Sequence, residues 1–223
     1  MSALYKRHHF ASASVPERSD IYASDLPSVL RRWHEPGCRL ALWHRQPAPD
    51  FVRRLDRLSF DELPSARFTS TPEEAGRKLH ASLLASALSD AKLIAALSHD
   101  MAHLVALFAG ATSAGEVDVR IEAVRDDACR KFHADVTPGR LVTTYVGPGT
   151  VWVLPENAAD ALSQQDGYAG PVQQMPRFSV GIMGGSEMSA KTLVHRSPRI
   201  SGTDAFRLFF CVDRPVRLRS TLH

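Results

Sequence analysis

Residues 129–150, CRKFHADVTPGRLVTTYVGPGT, decide how the rest of this 223-residue chain is read. The stretch opens on a short run that ends in His133-Ala134-Asp135, turns at Pro138-Gly139 and continues into a second run, RLVTTYV. In an extended strand successive side chains alternate faces, so positions i and i+2 point the same way. His133 and Asp135 therefore project together, with Ala134 opposite. An imidazole beside a carboxylate supplies two thirds of a two-histidine, one-carboxylate facial triad. That ligand set suits non-heme iron(II) with open coordination positions.

The missing ligand should be a histidine well downstream, on a strand that returns beside the first. His195, at the end of Thr192-Leu193-Val194, fits, and a further strand candidate follows in AFRLFFCVD, residues 205–213. If Phe206 and Leu208 face helices, then Arg207, Phe209 and Cys211 face the interior. A guanidinium placed there needs an anion, because an unpaired buried charge is very costly, and a carboxylate bound through both oxygens is its natural partner. With His133, Asp135, His195 and Arg207 in this order, residues 115–213 resemble the iron(II)/2-oxoglutarate oxygenases of the double-stranded β-helix fold. The resemblance implies iron held by His133, Asp135 and His195, and 2-oxoglutarate held by Arg207. Tyr145 is a second co-substrate contact on this reading, or else a packed aromatic. Arg199 ranks behind Arg207 for the same role, and Arg196 is a further rival.

The strings CRKFHAD, RLVTTYVGPGT, LVHRSP and RLFFCVD also resemble a bacterial family known as domain of unknown function 1826, over most of the chain. Some of its members lie beside zinc-homeostasis genes, which implies a metal site without naming the metal. Zinc accepts the same nitrogen and oxygen ligands. The alternative is therefore a non-oxidative protein binding zinc or another divalent ion, with Cys129 or Cys211 closing the coordination sphere.

Hydrophobic residues at 44%, charged residues at 23% and a net charge of +3 are ordinary for a globular protein. Twenty-two arginines against five lysines are spread along the chain and form no block, so a nucleic-acid partner is not expected. There is no run of eighteen apolar residues, so a membrane span is not expected. The first residues lack the apolar core of a signal peptide, which makes the cytoplasm the expected location. Three widely spaced cysteines argue against a disulfide framework.

Residues 1–20, with Lys6, Arg7, His8 and His9, read as a flexible polar arm. A helix is expected over 25–34, a strand over 38–45 and a short helix after Pro49 carrying Phe51, Val52, Leu55 and Leu58 on one face. Thr71-Pro72-Glu73-Glu74 has the form of a capping box opening a helix. Ser89 or Asp90 then caps a second helix through Leu93, Leu97, Leu104, Leu107 and Phe108. From residue 116 the pattern changes to short runs punctuated by Gly and Pro, which read as seven or eight strands of a jelly roll or barrel. The expected fold is α+β: one domain, 21–223, with a mainly helical part (21–112) packed on a double-stranded β-helix, jelly-roll or cupin-like, that carries the metal site (113–214).

Two motifs compete for attention. His99-Asp100-Met101-Ala102-His103 is similar to the zinc-hydrolase H-E-x-x-H motif with Asp for Glu. An amphipathic helix or an accessory metal site explains it as well. Residues 147–150, GPGT, lack the Lys-Ser/Thr of a phosphate-binding loop and read as a hairpin turn. The resemblance thus implies a dioxygenase that uses His133, Asp135 and His195 on a small-molecule or protein substrate.

Overall fold

The computed structural model describes residues 20–185 and 191–215; the arm expected over the first twenty residues lies, apart from Asp20, outside the described residues. In chain order the strands are β1 (Ile21–Ser24), β2 (Leu40–Trp43), β3 (Ala66–Ser70), β4 (Val117–Val124), β5 (Arg140–Val146), β6 (Val151–Trp152), β7 (Gln173–Gln174), β8 (Val180–Met183), β9 (His195–Arg196) and β10 (Arg207–Asp213). The α-helices are α1 (Pro49–Leu55), α2 (Pro72–Leu84), α3 (Ala91–Thr112) and α4 (Ala158–Gln164), and Pro27–His34 forms a 3₁₀ helix.

The strands form a large sheet in the order β1-β2-β8-β5-β10-β4-β3 and a small one in the order β7-β6-β9. Every pairing is antiparallel except that of β1 with β2. From β4 onward the chain passes back and forth between the sheets. β4, β5, β8 and β10 lie in the large sheet; β6, β7 and β9 lie in the small one. Before β5, His133 bridges to His195 at the small sheet's edge.

Alternation along each strand sorts the side chains into separate cores. Leu141, Tyr145, Leu208, Phe210 and Val212 face outward into a core shared with Leu93, Leu97, Met101, Leu104 and Phe108 of α3. Val142, Met183 and Cys211 face inward and meet Trp152 of the small sheet, together with Met175 and Leu193. Phe132, Val151, Val153 and Val194 on the far side of the small sheet pack with Ala161 of α4. Arg207, Phe209 and Cys211 thus face the space between the sheets, as the strand pattern predicts.

The helical segments begin where their capping residues stand. Asp90 Oδ1 accepts from the backbone N–H groups of Lys92 at 2.9 Å and Leu93 at 3.1 Å, satisfying donors that an α-helix leaves orphaned. Thr71 Oγ1 accepts from the Glu74 N–H at 3.4 Å, while the Glu74 carboxylate turns to Arg77 at 3.1 Å. α3 spans 22 residues with a mean hydropathy of 1.5 over its most apolar stretch, long and apolar enough to cross a membrane by length and composition. In this fold that surface is the core's, since its apolar stripe covers the large sheet.

Three expectations are corrected. The helix expected over 25–34 is a 3₁₀ segment that starts at Pro27 and buries Val29, Leu30 and Trp33, leaving Leu26 outside and exposed. Within the part expected to be mainly helical, β2 falls in the strand expected over 38–45, but β1 and β3, the two edges of the large sheet, were not expected. The strand expected before Asp135 shrinks to one bridge at His133, because Cys129 adopts a left-handed φ of 56° and interrupts the extended run.

Phe108 is fully buried where α3 meets the sheet. Phe108→Ala should cost about 3–5 kcal/mol in urea unfolding, with the far-ultraviolet circular dichroism of the folded state retained.

Candidate metal centre

The site begins with a backbone pair. His133 N–H donates to the His195 carbonyl at 2.9 Å and His195 N–H donates to the His133 carbonyl at 3.0 Å. Residues directly opposite across an antiparallel pair carry their side chains on one face, and the two imidazole centroids lie 4.5 Å apart. Each ring is then oriented by a carbonyl two residues earlier: His133 Nδ1 to Lys131 at 2.8 Å and His195 Nδ1 to Leu193 at 3.1 Å. A carbonyl only accepts, so the network assigns the proton to Nδ1 in both rings and leaves both Nε2 lone pairs free. Metal-binding histidines are oriented by this kind of partner.

Asp135 completes the group. Its Oδ1 lies 3.6 Å from His133 Nε2 and its Oδ2 3.3 Å from His195 Nε2. The three ligand atoms all lie within 4.8 Å of one another, a cluster able to hold one ion. Asp135 Oδ2 is buried and, among the described residues, has no hydrogen-bond partner. A buried carboxylate oxygen without a donor is expensive, and a cation between the two Nε2 atoms and Oδ2 removes that cost. These residues fit a divalent metal.

Burial by itself would raise the Asp135 carboxyl, but the two imidazoles and Arg140 outweigh it and hold the group well below the usual carboxylate range. The Asp135 hydrogen bond raises His133 against the opposing effect of burial. Behind the site, a Cβ at Gly185 would stand 2.2 Å from the Asp135 carbonyl oxygen. The Gly184-Gly185 pair therefore allows the backbone to pass against the metal-site loop.

The triad lines a cavity of about 160 Å³ together with Arg120, Glu122, Arg207 and Phe209. Arg207 is 2% exposed. Its guanidinium donates to Ser197 Oγ at 3.1 Å and Thr144 Oγ1 at 3.3 Å, and its Nε has no partner. No carboxylate among the described residues forms an ion pair with it. Burial lowers its pKa to about 10, opposed by Glu122 and Cys129, so it stays charged at neutral pH. A buried cation held by two neutral hydroxyls in an open cavity is suited to receive an anion.

The other candidate residues stand in different relations to the cavity. Tyr145 faces the helix side, fully buried, and its hydroxyl donates to Asp100 Oδ2 at 2.6 Å. Strand parity sets it opposite Thr144, so it does not reach the cavity. Arg199 is half-exposed and pairs with Asp166 at 2.8 Å, away from the cavity lining. Arg196 also lines the cavity, and its guanidinium stacks on Phe132 at 4.2 Å. Cys211 donates toward Asp213 at 3.7 Å, and burial pushes its thiol up to about 12, an unready metal ligand. Cys129 lines the cavity, but neither cysteine joins the ligand cluster. His99 and His103 are exposed on α3, while Asp100 between them turns inward to Arg45 at 2.6 Å and Tyr145. The hydrolase-like motif is thus an amphipathic helix face.

Four residues that the sequence left without a role belong to the site: Thr144 and Ser197 on Arg207, and Arg140 and Asp213 behind Asp135. Thr144 was legible in principle, since it shares parity with the inward face of β5. The others depend on strand register, which no local signal fixes.

Two imidazoles, one carboxylate and an unpaired guanidinium, gathered between two sheets, define a candidate metal- and anion-binding protein. Residues 24–213 match the family model described as "Protein of unknown function (DUF1826)", and the chain belongs to that family. No curated protein matches it. Among solved structures it is similar to the rice dioxygenase for auxin oxidation (12% identity, TM-score 0.46, 87% of this chain and 82% of that one). It is also similar to the Arabidopsis thaliana enzyme of the same name in its 2-oxoglutarate complex (10%, 0.43, 88% and 92%). A Pseudomonas putida prolyl-4-hydroxylase is a third such structure (9%, 0.43, 86% and 94%). At these scores the likenesses decide neither fold nor site, which stand on strand order and residues.

Arg207→Met should remove an uncompensated buried charge and make the metal-free protein roughly 1–3 kcal/mol more stable in urea unfolding. Asp135 acts in the opposite sense. Its depressed carboxyl contributes stability that is fully present above its unfolded pKa of about 3.9 and is lost as pH falls toward the folded value. The unfolding free energy of Asp135→Asn should therefore fall less steeply than that of the wild type as pH drops below about 4.

Proposed function

We propose that this protein is an iron(II)- and 2-oxoglutarate-dependent oxygenase whose two sheets form a double-stranded β-helix. The observation that carries the reading is Arg207: a buried guanidinium without an anion partner among the described residues, in the same cavity as two imidazole nitrogens and a carboxylate oxygen left without a donor there. His133, Asp135 and His195 would hold the metal, and the strand order supports the fold.

Iron(II), when bound, supplies the redox chemistry that couples oxygen activation to oxidative decarboxylation of 2-oxoglutarate. The chain does the rest. Arg207, Ser197 and Thr144 offer donors to one carboxylate of a dicarboxylate, leaving its other end free toward the triad. The Nδ1–H bonds to the Lys131 and Leu193 carbonyls turn both rings so that Nε2 faces Asp135. Val142, Met183 and Phe209 wall the cavity with apolar surface and limit water.

The competing zinc reading asks for a closed coordination sphere or a salt-bridged Arg207. Among the described residues there is no fourth ligand beside the triad and no ion pair on Arg207, so the open site favours the oxygenase.

The test is an anaerobic titration with iron(II), then 2-oxoglutarate, followed by visible absorption. A metal-to-ligand charge-transfer band is expected. It should be absent in His133→Ala and Asp135→Ala and at least tenfold weaker in apparent affinity in Arg207→Met. Aerobic incubation should then release succinate. Tight zinc binding with no such band would overturn the reading in favour of a metal store or sensor.

A further inference from the structure

Arg140 is the first residue of β5 and lies opposite Asp213, the last residue of β10. Its guanidinium grips Asp213 through two nitrogens, Nε to Oδ1 at 2.6 Å and Nη2 to Oδ2 at 2.9 Å. That fork leaves Nη1, which donates to Oδ1 of Asp135. Asp213 is itself braced by Arg120 at 3.5 Å, and Arg120 by Glu122 at 3.2 Å. A row of alternating charges therefore crosses the inner face of β5, β10 and β4 and ends on the metal-site carboxylate.

The two oxygens of Asp135 are thereby made unequal. Oδ1 is taken by Arg140, while Oδ2, buried and without a donor, lies 3.3 Å from His195 Nε2. A planar guanidinium held at two points by a neighbouring strand has little freedom to release its third contact. Free carboxylates bind cations through one oxygen or two; in this one Oδ1 already accepts from Arg140, and Oδ2 is the oxygen left without a donor among the described residues.

We propose that Arg140 is a positioning residue that restricts Asp135 to one-oxygen ligation and so sets how many metal positions stay open. Two imidazoles and one oxygen occupy half an octahedron. The three vacant positions are enough for a chelating co-substrate and oxygen together. A carboxylate bound through both oxygens would leave two, and one of those reactants would be shut out. The inference rests on His133, Asp135 and His195 being the metal ligands.

The test counts water molecules on the metal, not turnover. The protein is loaded with manganese(II), and the electron paramagnetic resonance line broadening by ¹⁷O-enriched water is measured. Wild type should show three exchangeable waters. Arg140→Met, with both Asp135 oxygens released, should show two. Arg140→Gln, whose amide can again donate to Oδ1, should restore the third and distinguish positioning from bulk. Two waters in wild type, or three in Arg140→Met, would overturn the proposal while leaving the ligand assignment intact. If Arg140→Met does not fold, the wild-type count still decides between one-oxygen and two-oxygen ligation. Manganese that does not bind wild type in competition with His133→Ala would overturn the ligand assignment, and this inference with it.

Discussion

The reciprocal hydrogen bonds between the backbones of His133 and His195 are the interaction on which the site depends. They tie a loop that has left the large sheet to the short strand β9, across sixty-two residues of sequence. Closing a loop of that length carries an entropy cost that two hydrogen bonds alone do not offset. The packing of Trp152, Met175, Met183 and Leu193 between the sheets, and of Phe132 and Val194 behind them, brings the segments together. Once paired, the two rings have no choice of face. The geometry of this candidate ligand set is a consequence of strand pairing and core burial, with the carbonyls of Lys131 and Leu193 fixing the tautomers.

Charge is distributed over the inner face with one deliberate imbalance. Arg140 and Arg120 are matched by Asp135, Asp213 and Glu122 through direct ion pairs. Arg207 has hydroxyl partners and no acid among the described residues. A guanidinium left in that condition costs the fold stability. The outer face shows the contrast: Arg45, almost as deeply placed, is closed onto Asp100 and stacks near Tyr145, and it braces α3 against the sheet.

Legibility followed the range of the physics involved. The helices α2 and α3 were readable because their caps and apolar periods are local, and Asp90 and Thr71 stand where the pattern places them. Strands β4, β5 and β10 were readable from alternation and β-branched or aromatic content. β3, with the polar sequence ARFTS, carries no such signal and exists because β4 offers it a partner. β7, two glutamines, is likewise made by β6. β1 is a strand through its parallel pairing with β2, a contact that needs the intervening 3₁₀ helix to fold back first.

By itself the sequence marked His133, Asp135 and His195 as candidate ligands, through residue type and a family resemblance, and indicated the inward parity of Arg207 and the change from helical to strand pattern near residue 116. The parity of Arg207 and the change of pattern follow from periodicity within a few residues; the pairing of His195 with His133 does not. Tertiary structure decided everything that depends on register. It set Thr144 and Ser197, not Tyr145, on Arg207. It turned Arg199 outward to Asp166, kept Cys211 out of the ligand cluster, and laid Arg140 between Asp213 and Asp135. In a sheet, a shift of one residue reverses the face of every side chain, and register is set by the whole core.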